Sequence, residues 1–371
     1  MPFDVDESIR TMAMRLPAGR NWIFLGCGLL AACGFTSNDG QPVGSKGLWV
    51  ANGTNVVEYN PAQVGAGTGA TAPHVSINSE VFGSPQGVAF DPMGNMWVVD
   101  TAANIKGTAT PALYEFSAAQ LAALATDNAP EPVAVITSAF VQGPRQIVID
   151  VLGNAWIADP TANAVLTYTA AQLGQMGSQA VAPVLVISSD QFANPSGIAF
   201  DSAGDMWVAN SGTAAAAGTT IVEIKKAKIP ALPEMGTATP KVVSDASLSN
   251  VSGTVQAPWG LAIDATDSMW WTNSSTSTIE SLPGVSTLAG SVVPSAPIGS
   301  TQINSVATID QPHGICIDDV GNVAVVSSNG AFGIAVFGAD QVKQGAPATF
   351  IVGKATTLDT PQGCTFGPTV K

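Results

Sequence analysis

The sequence predicts an all-β fold, a six-bladed β-propeller of four-stranded blades. Two observations predict it: a repeat of strand and turn signals, and two incomplete copies of that repeat at the chain ends that complete one another. The composition agrees, because only 11% of the 371 residues are charged, while the turn formers glycine and proline number 38 and 25.

Each repeat begins with a proline and reads as a hairpin followed by two further strands. The copy at 85–100, PQGVAFDPMGNMWVVD, has an apolar strand ending in aspartate, a turn with glycine and asparagine, and a strand with tryptophan. Glycine and asparagine supply the positive φ angles of a tight hairpin. The starting prolines recur at intervals of roughly 50 to 60 residues, which is typical of propellers. They are Pro85, Pro144, Pro195, Pro258, Pro312 and Pro361.

The two incomplete copies lie at opposite ends of the repeat region. PQGCTFG at 361–367 has no hairpin partner after it, and GLWVAN at 47–52 has no proline strand before it. We expect the C-terminal strand to pair with the N-terminal blade strands, which closes the ring and removes exposed sheet edges. The count gives six blades over 47–371.

Two repeated residue types are predicted to be structural. Tryptophans are expected to pack between blades: Trp49, Trp97, Trp156, Trp207 and Trp270. Aspartates at the hairpins are expected to cap turn amides rather than bind calcium: Asp91, Asp150, Asp201, Asp264 and Asp318. Short helices are expected after the capping side chains Asn60, Ser117 and Thr169.

Two rings of side chains are predicted at one end of the central channel, because the first strand leaves this end and the second returns to it. The residues after the prolines form the first ring: Gln86, Arg145, Ser196, Trp259, His313 and Gln362. The last residues of the second strands form the second ring: Asn52, Asp100, Asp159, Asn210, Asn273 and Ser327. We predict that a ligand binds at this mouth, through the whole first ring together with Asp100 and Asp159.

The chemistry of the first ring favours a small anionic or ring-bearing ligand. Arg145 is the only arginine after residue 32 and offers a fork of donors to a carboxylate or phosphate. His313 titrates near neutrality and is the candidate catalytic residue, and Trp259 offers a flat face. The repeat order places Arg145 and His313 on opposite sides of the mouth. Structural interpretations stay open: Arg145 neutralising Asp100 and Asp159, His313 as a turn residue, and Trp259 as a cover.

The repeat P-x-G-[apolar]-A-[FI]-D-x-x-G-N-x-W-V-x-[DN] over 47–371 resembles the NHL-repeat propellers. More widely it is similar to the six-bladed group that includes virginiamycin B lyase and the gluconolactonases. The lyase resemblance implies two histidines and a glutamate, but only His313 occupies a motif position, since His74 lies in an outer strand. The gluconolactonase resemblance implies a divalent cation at the mouth, held partly by a glutamate. No glutamate occupies either ring, so we predict no metal and no cofactor.

The N-terminal segment predicts export and lipidation. Three arginines precede NWIFLGCGLLAACG at 21–34, a basic and then apolar pattern typical of a signal peptide and too short for a membrane span. Its Leu30-Ala31-Ala32-Cys33 resembles the lipobox of bacterial lipoproteins. We expect a signal peptide at 1–32, a lipid on Cys33, and a flexible tether at 33–46. The propeller would be extracytoplasmic, on the outer membrane, at its periplasmic or surface side.

The two remaining cysteines, Cys316 and Cys364, fall in neighbouring first strands. Their opposite side-chain directions allow a disulfide across a blade interface, and two buried thiols are the alternative.

The predicted function is a non-enzymatic binding or interaction module at the cell envelope. A net charge of −14 with few cationic residues excludes nucleic acid as a partner. We expect a monomer that binds a small ligand or an envelope protein and meets the membrane only through its lipid. Two alternatives remain: a hydrolase or lyase of small cyclic, lactone-like substrates that uses His313 and Arg145, and a structural scaffold.

Overall fold

The structure of the chain is a computed structural model. It describes residues 35–36, 42–65, 72–212, 220–232, 241–244, 249–251, 255–288, 298–299, 302–303, 306–307, 309–329, 332–339, 350–353 and 358–370. The predicted signal peptide and Cys33 lie outside these residues. Within the predicted tether, β1 (Phe35–Thr36) pairs with β2 (Pro42–Val43) in a two-stranded sheet.

Six antiparallel sheets of four strands contain most of the described strands. Sheet I contains β30 (Pro361–Gly367), β3 (Gly47–Asn52), β4 (Asn55–Tyr59) and β5 (Val75–Ile77). Sheet II contains β6 (Pro85–Phe90), β7 (Met96–Ile105), β8 (Thr108–Phe116) and β9 (Ala134–Thr137). Sheet III contains β10 (Ile147–Ile149), β11 (Ala155–Asp159), β12 (Ala164–Tyr168) and β14 (Leu185–Ser188).

The remaining three sheets have the same strand order. Sheet IV contains β15 (Pro195–Phe200), β16 (Met206–Asn210), β17 (Ile221–Ile224) and β19 (Ser249–Val251). Sheet V contains β20 (Pro258–Ile263), β21 (Met269–Asn273), β22 (Thr278–Leu282) and β23 (Ile298–Gly299). Sheet VI contains β26 (Pro312–Ile317), β27 (Val323–Ser327), β28 (Phe332–Phe337) and β29 (Phe350–Gly353). A separate pair consists of β24 (Gln302–Ile303) and β25 (Val306–Ala307).

Two further strands cover the outer edges of sheets II and III. The parallel strand β13 (Gly177–Ala180) lies beside β9, although its chain segment belongs to sheet III. In the same way β18 (Lys241–Ser244), from the segment of sheet IV, lies parallel to β14. These strands link neighbouring sheets at their outer edges and cover unpaired backbone groups there.

The two chain ends meet in sheet I. Strand β30 pairs antiparallel with β3, with Leu48 opposite Phe366 and Val50 opposite Cys364. Trp49 and Cys364 therefore lie in the same sheet. The side chains of Leu48, Trp49 and Val50 are completely buried.

Six hydrophobic clusters lie between the sheets, one between each pair of consecutive sheets and one between sheets VI and I. Trp97 of sheet II, for example, packs with Ile147 and Ile157 of sheet III. Each of the five repeated tryptophans lies in the cluster its sheet shares with the next one and is at most 7% exposed. The prediction that they pack between repeats is confirmed.

The glycine of the proline motif is explained by contact between neighbouring first strands. A Cβ on Gly363 would lie 2.3 Å from the carbonyl oxygen of Gln86 in sheet II, and one on Gly260 would lie 2.4 Å from that of His313 in sheet VI. Three more glycines face the next sheet in the same way: Gly87, Gly197 and Gly314. Only glycine permits this approach, and β30 lies between the first strands of sheets VI and II.

The hairpin aspartates cap their turns, as predicted. Oδ1 of Asp91 accepts hydrogen bonds from the backbone N–H groups of Met93 and Asn95, both at 2.9 Å. The other four aspartates accept the equivalent pair: Asp150, Asp201, Asp264 and Asp318. Their carboxylates serve the turns, and no calcium site is needed to explain them.

The described helices are short. They are α1 (Pro61–Gly65), α2 (Ala118–Ala122), α3 (Ala170–Leu173) and the 3-10 helices Lys226–Lys228 and Val285–Thr287. The predicted caps are confirmed, because the side chains of Asn60, Ser117 and Thr169 accept from backbone N–H groups in the first turns. In the described part of the chain, no helix has the length and apolar character to span a bilayer.

Candidate ligand site at the channel mouth

Three first-ring side chains stack on one another at the end where the first strands begin, which we call the proline end. The Cζ atom of Arg145 lies 3.6 Å from the centroid of the Trp259 ring. The His313 ring lies parallel to Trp259, with ring centroids 3.8 Å apart and planes at 3°. Two groups at such distances must occupy opposite faces of the indole, which gains a cation–π contact on one side.

The stack joins side chains from three sheets at the proline end. Arg145 precedes the first strand of sheet III, and Trp259 and His313 lie in the first strands of sheets V and VI. Beneath them the structure leaves a cavity of about 30 Å³, room for a single water. Arg145 and His313 start from opposite sheets as expected, but they converge on Trp259 instead of facing each other across an open pocket.

His313 is held neutral beneath the indole. Its Nδ1 lies 2.8 Å from Oε1 of Gln362, an acceptor, so Nδ1–H donates, while Nε2 lies 3.3 Å from Oγ of Ser328. Burial lowers the pKa of His313 to about 4, against a smaller raising effect of Gln362, and the Arg145 charge lowers it further. Both ring nitrogens are engaged, and no carboxylate of the described residues contacts the ring.

The lowered pKa of His313 predicts an acid-dependent loss of stability. The unfolded chain binds the proton near pH 6.5 and the folded chain only near pH 4, so the free energy of unfolding falls as the pH drops through this window. The contribution is about 3 kcal/mol. Denaturant titrations at several pH values should show that His313→Gln removes this dependence, and equal dependences in both proteins would contradict it.

Glu115 supplies the control for that measurement. Burial raises its pKa to about 7, with a smaller contribution from Asp91, so its effect has the opposite sign: stability falls as the pH rises from about 4.5 to 7. Glu115→Gln should therefore change the pH dependence of the free energy of unfolding in the direction opposite to His313→Gln.

A polar depression of about 410 Å³ lies above the stack. Four first-ring residues line it together with six neighbours: Gln86, Arg145, Trp259, Gln362, Thr101, Gln142, Gly143, Pro160, Thr161 and Asn194. Nη1 of Arg145 donates to Oγ of Ser211 at 3.1 Å, and within the described ranges Arg145 forms no ion pair with a carboxylate. Burial lowers the pKa of Arg145 to about 10 although Asp159 raises it, so the guanidinium stays charged at neutral pH.

The second ring is structural. All six members are at most 2% exposed, and each accepts a backbone N–H from the segment that leads into the first strand of its own sheet. Asp159 accepts from the N–H groups of Gln142 at 2.7 Å, Gly143 at 3.0 Å and Ala162 at 2.9 Å. Asp100 accepts from Gly83, Ser84 and Ala102. Backbone N–H groups occupy both carboxylates, and the Asp159 charge acts on Arg145 without an ion pair between them. That the two carboxylates contact a ligand stays a prediction.

Two first-ring candidates also lie away from the depression. Ser196 is 1% exposed, and its Oγ donates to the carbonyl oxygen of Pro258 at 3.0 Å. His313 stacks on Trp259 and does not line the depression. Four polar residues of the depression were not predicted: Thr101, Gln142, Thr161 and Asn194. Each lies one or two positions in the sequence from a ring residue or a starting proline. This proximity in the sequence is the feature from which they could have been predicted.

A second, much larger cavity opens at the opposite end, which we call the turn end because the hairpin turns 91–95, 150–154, 201–205, 264–268 and 318–322 lie there. This funnel has a volume of about 1160 Å³ and is lined mainly by the apolar first strands. Gln146, which replaces the motif glycine in sheet III, separates it from the mouth. Its Nε2 donates to the carbonyl oxygens of Ile198 at 3.1 Å and Leu261 at 2.9 Å, in two successive sheets.

A disulfide and an acidic cluster lie outside the depression. A disulfide joins Cys316 to Cys364, and so links sheet VI to sheet I. Asp201, Asp205 and Glu223 place one oxygen each within 4.8 Å of one another. Lys225 Nζ lies 3.0 Å from Asp205 and 2.5 Å from Glu223, so an ammonium group already compensates these carboxylates.

Comparison with known proteins identifies the fold class. No family model and no curated protein matches the chain. Among solved structures, a chain of the nidogen/laminin complex is 12% identical, covering 88% of this chain and 100% of that chain with a TM-score of 0.57. A putative 6-phosphogluconolactonase from Bacteroides fragilis NCTC 9343 is 11% identical, covering 87% and 98% with a TM-score of 0.51. A streptogramin B lyase structure is 13% identical, covering 68% of this chain and 68% of that chain. Its TM-score of 0.40 is too low to support a structural similarity.

These neighbours are propeller-type structures, and the chain is a β-propeller. At these identities the similarity concerns the fold and carries no activity to this chain.

Proposed function

We propose that the six sheets are the blades of a closed, NHL-like propeller. Three observations support closure: β30 pairs with β3, a hydrophobic cluster lies between sheets VI and I, and the motif glycines bring five of the six first strands against the next one. The proposed wheel places the depression and the funnel at the two ends of one axis.

On this scaffold we propose a binding module for a small anionic ligand at the polar depression. The observation that carries the proposal is Arg145, whose guanidinium is fixed by stacking on Trp259 and has no carboxylate partner among the described residues. Stacking leaves the edge of the guanidinium free to donate to a carboxylate or phosphate. Amide and hydroxyl groups from Gln86, Gln142 and Thr161 surround it and would orient the ligand.

Binding is favoured over hydrolysis or elimination because, among the described residues that line the depression, none is a proton acceptor suited to neutral pH. His313 is stacked on the indole and does not line the depression, both of its nitrogens are engaged, and its pKa is lowered to about 4. A general base must reach the proton that it removes. The proposal requires no cofactor and no metal.

We further propose that the protein is exported and held at the membrane by a lipid on Cys33. The support is the lipobox-like Leu30-Ala31-Ala32-Cys33 after a short apolar run. The propeller would then act in an extracytoplasmic compartment.

The binding proposal predicts an arginine-dependent anion affinity. Calorimetric titration with inorganic phosphate, acetate and succinate should detect binding of at least one anion. Arg145→Gln should weaken it at least about tenfold, because hydrogen bonds to charged groups contribute about 1.5 to 3 kcal/mol. Gln142→Ala, at an exposed position of the same depression, should weaken it less.

Lys106→Gln is the matched control, since it removes an exposed cation from the β7–β8 connection outside the depression. This variant should leave the anion affinity unchanged if binding depends on the Arg145 depression and not on the net charge of the protein. Thermal melts of all variants would verify folding. Equal affinities in wild type and Arg145→Gln, or no binding of any of the three anions, would overturn the proposal.

A further inference from the structure

Large apolar side chains are exposed at the turn end. The exposed fractions are 77% for Met93, 93% for Val151, 75% for Leu152 and 41% for Val320. All four occupy the tips of aspartate-capped hairpins, so their exposure is fixed by the turn geometry and not by a mobile connection. An exposed apolar cluster of this kind marks a surface that meets another apolar phase.

These side chains lie on one side of the turn end. They belong to sheets VI, II and III, and sheet I lies between VI and II through its shared clusters. The hairpins of sheets IV and V carry small or polar residues at the same positions, and they bond to each other. Ser202 donates through its backbone N–H to Asp267 at 2.8 Å. The turn end thus has an apolar arc, VI-I-II-III, and a polar arc, IV-V.

The chain enters the propeller at this apolar arc. Ser45 donates through its backbone N–H and its hydroxyl to Asp319, at 3.1 and 2.7 Å, and Asp319 precedes Val320. Phe35 lies opposite Val43 in the β1–β2 pair. In the sequence, Cys33 precedes Phe35 by two residues and Ser45 by twelve.

Charge at the funnel rim does not distinguish the two arcs. Lys46 and Lys226 line the funnel and are exposed, in a chain of net charge −14. The Asp91 and Asp150 carboxylates at the rim are occupied by their own turns. Lys46 lies near Asp319 at the apolar arc, and Lys226 lies near Gly204 at the hairpin of sheet IV. A lipid surface is therefore indicated by the apolar tips and by the place where the chain enters, and not by charge.

We propose that the apolar arc of the turn end lies on the lipid surface, with Met93, Val151, Leu152 and Val320 inserted among the headgroups. This inference rests on the proposed lipid on Cys33, and it adds an orientation to what a tether alone would leave free. The proline end, with the Arg145 depression, then faces away from the membrane toward the aqueous compartment. The ligand site stays accessible because the opposite end makes the contact.

The test uses the lipidated protein in vesicles of phosphatidylethanolamine and phosphatidylglycerol. Single cysteines at Leu152→Cys and Val320→Cys carry an environment-sensitive fluorophore, and spin-labelled lipids quench it. The control is Thr108→Cys, exposed in the long β7–β8 hairpin at the proline end. We expect several-fold stronger quenching at 152 and 320 than at 108. Equal quenching at all three positions, or quenching at 152 and 320 weaker than at 108, would overturn the orientation.

A second measurement separates this inference from the lipid anchor. The mass of the N-terminal peptide shows whether Cys33 carries a lipid, and an unmodified peptide refutes the anchor. The chain from Gly34 forms one compact unit that contains all six clusters, so it can be added to the same vesicles without a lipid. We expect Leu152→Asp to reduce its cosedimentation several-fold and Phe140→Asp, at an exposed site outside the five hairpin turns of the turn end, to leave it unchanged. No cosedimentation of the parent chain, or equal loss in both variants, would overturn the inference.

Discussion

Deletion of residues 361–371 is expected to abolish folding. The deletion removes β30, which is the first strand of sheet I and the neighbour of sheets VI and II. It exposes the edge of β3, where Leu48, Trp49 and Val50 are completely buried, and it removes Cys364 from the disulfide. Trp49 Nε1 also loses its acceptor, the carbonyl oxygen of Pro368 at 2.9 Å. Near-ultraviolet circular dichroism and limited proteolysis should show no cooperative tertiary structure.

A circular permutant distinguishes loss of closure from mere loss of residues. In the permutant, residues 358–371 are placed before residue 47 and joined to it by a short glycine-serine linker. The four strands of sheet I then follow one another in the chain. We expect the permutant to fold and to melt cooperatively. A cooperative melt of the truncated chain near the wild-type temperature would refute the closed ring, and with it the axial depression and funnel.

Replacement of Asp159 by alanine is expected to give the largest loss among point variants at the proline end. The side chain is completely buried and accepts from the backbone N–H groups of Gln142, Gly143 and Ala162. A buried N–H left without an acceptor costs about 1 to 3 kcal/mol. The N–H of Gly143 is buried and those of Gln142 and Ala162 are partly buried, so the free energy of unfolding should fall by about 3 kcal/mol. Urea denaturation provides the measurement.

Asp159→Asn is the conservative counterpart, because asparagine occupies the equivalent position in sheets I, IV and V, at Asn52, Asn210 and Asn273. The asparagine keeps one acceptor oxygen, so the free energy of unfolding should fall by about half as much as in Asp159→Ala. The exposed Glu131→Ala should be neutral. If Asp159→Ala is as stable as Glu131→Ala, the second ring does not hold the segments that lead into the first strands of the sheets. Because that segment carries Gln142, anion affinity should fall together with stability.

The fold could be predicted from sequence because its determinants are local and repeated. The hairpin aspartates, the interface tryptophans and the helix caps each act through neighbours whose position follows from strand alternation or turn geometry. The matching incomplete copies at 47–52 and 361–367 gave the pairing of the chain ends for the same reason: strand pairing depends on backbone pattern, not on side-chain rotamers.

Which of the predicted site residues contact a ligand stays a prediction. Ring membership placed Gln86, Arg145, Trp259 and Gln362 at the depression, but it also included Asp100 and Asp159, whose backbone partners lie about 17 residues earlier in the chain. Whether a carboxylate faces solvent or a buried N–H depends on the path of the entering segment. Sequence spacing does not contain that path.

The sequence by itself determined the β-repeat, its turns and interfaces, and the presence of a lone arginine, a tryptophan and a histidine at one end. Only the tertiary structure decided that Trp259 lies between Arg145 and His313 and that Gln146 divides the channel. It also decided that the larger cavity opens at the opposite end. The physical reason is that these contacts join side chains from sheets brought together around the axis, where reach, stacking and burial act between residues far apart in the chain.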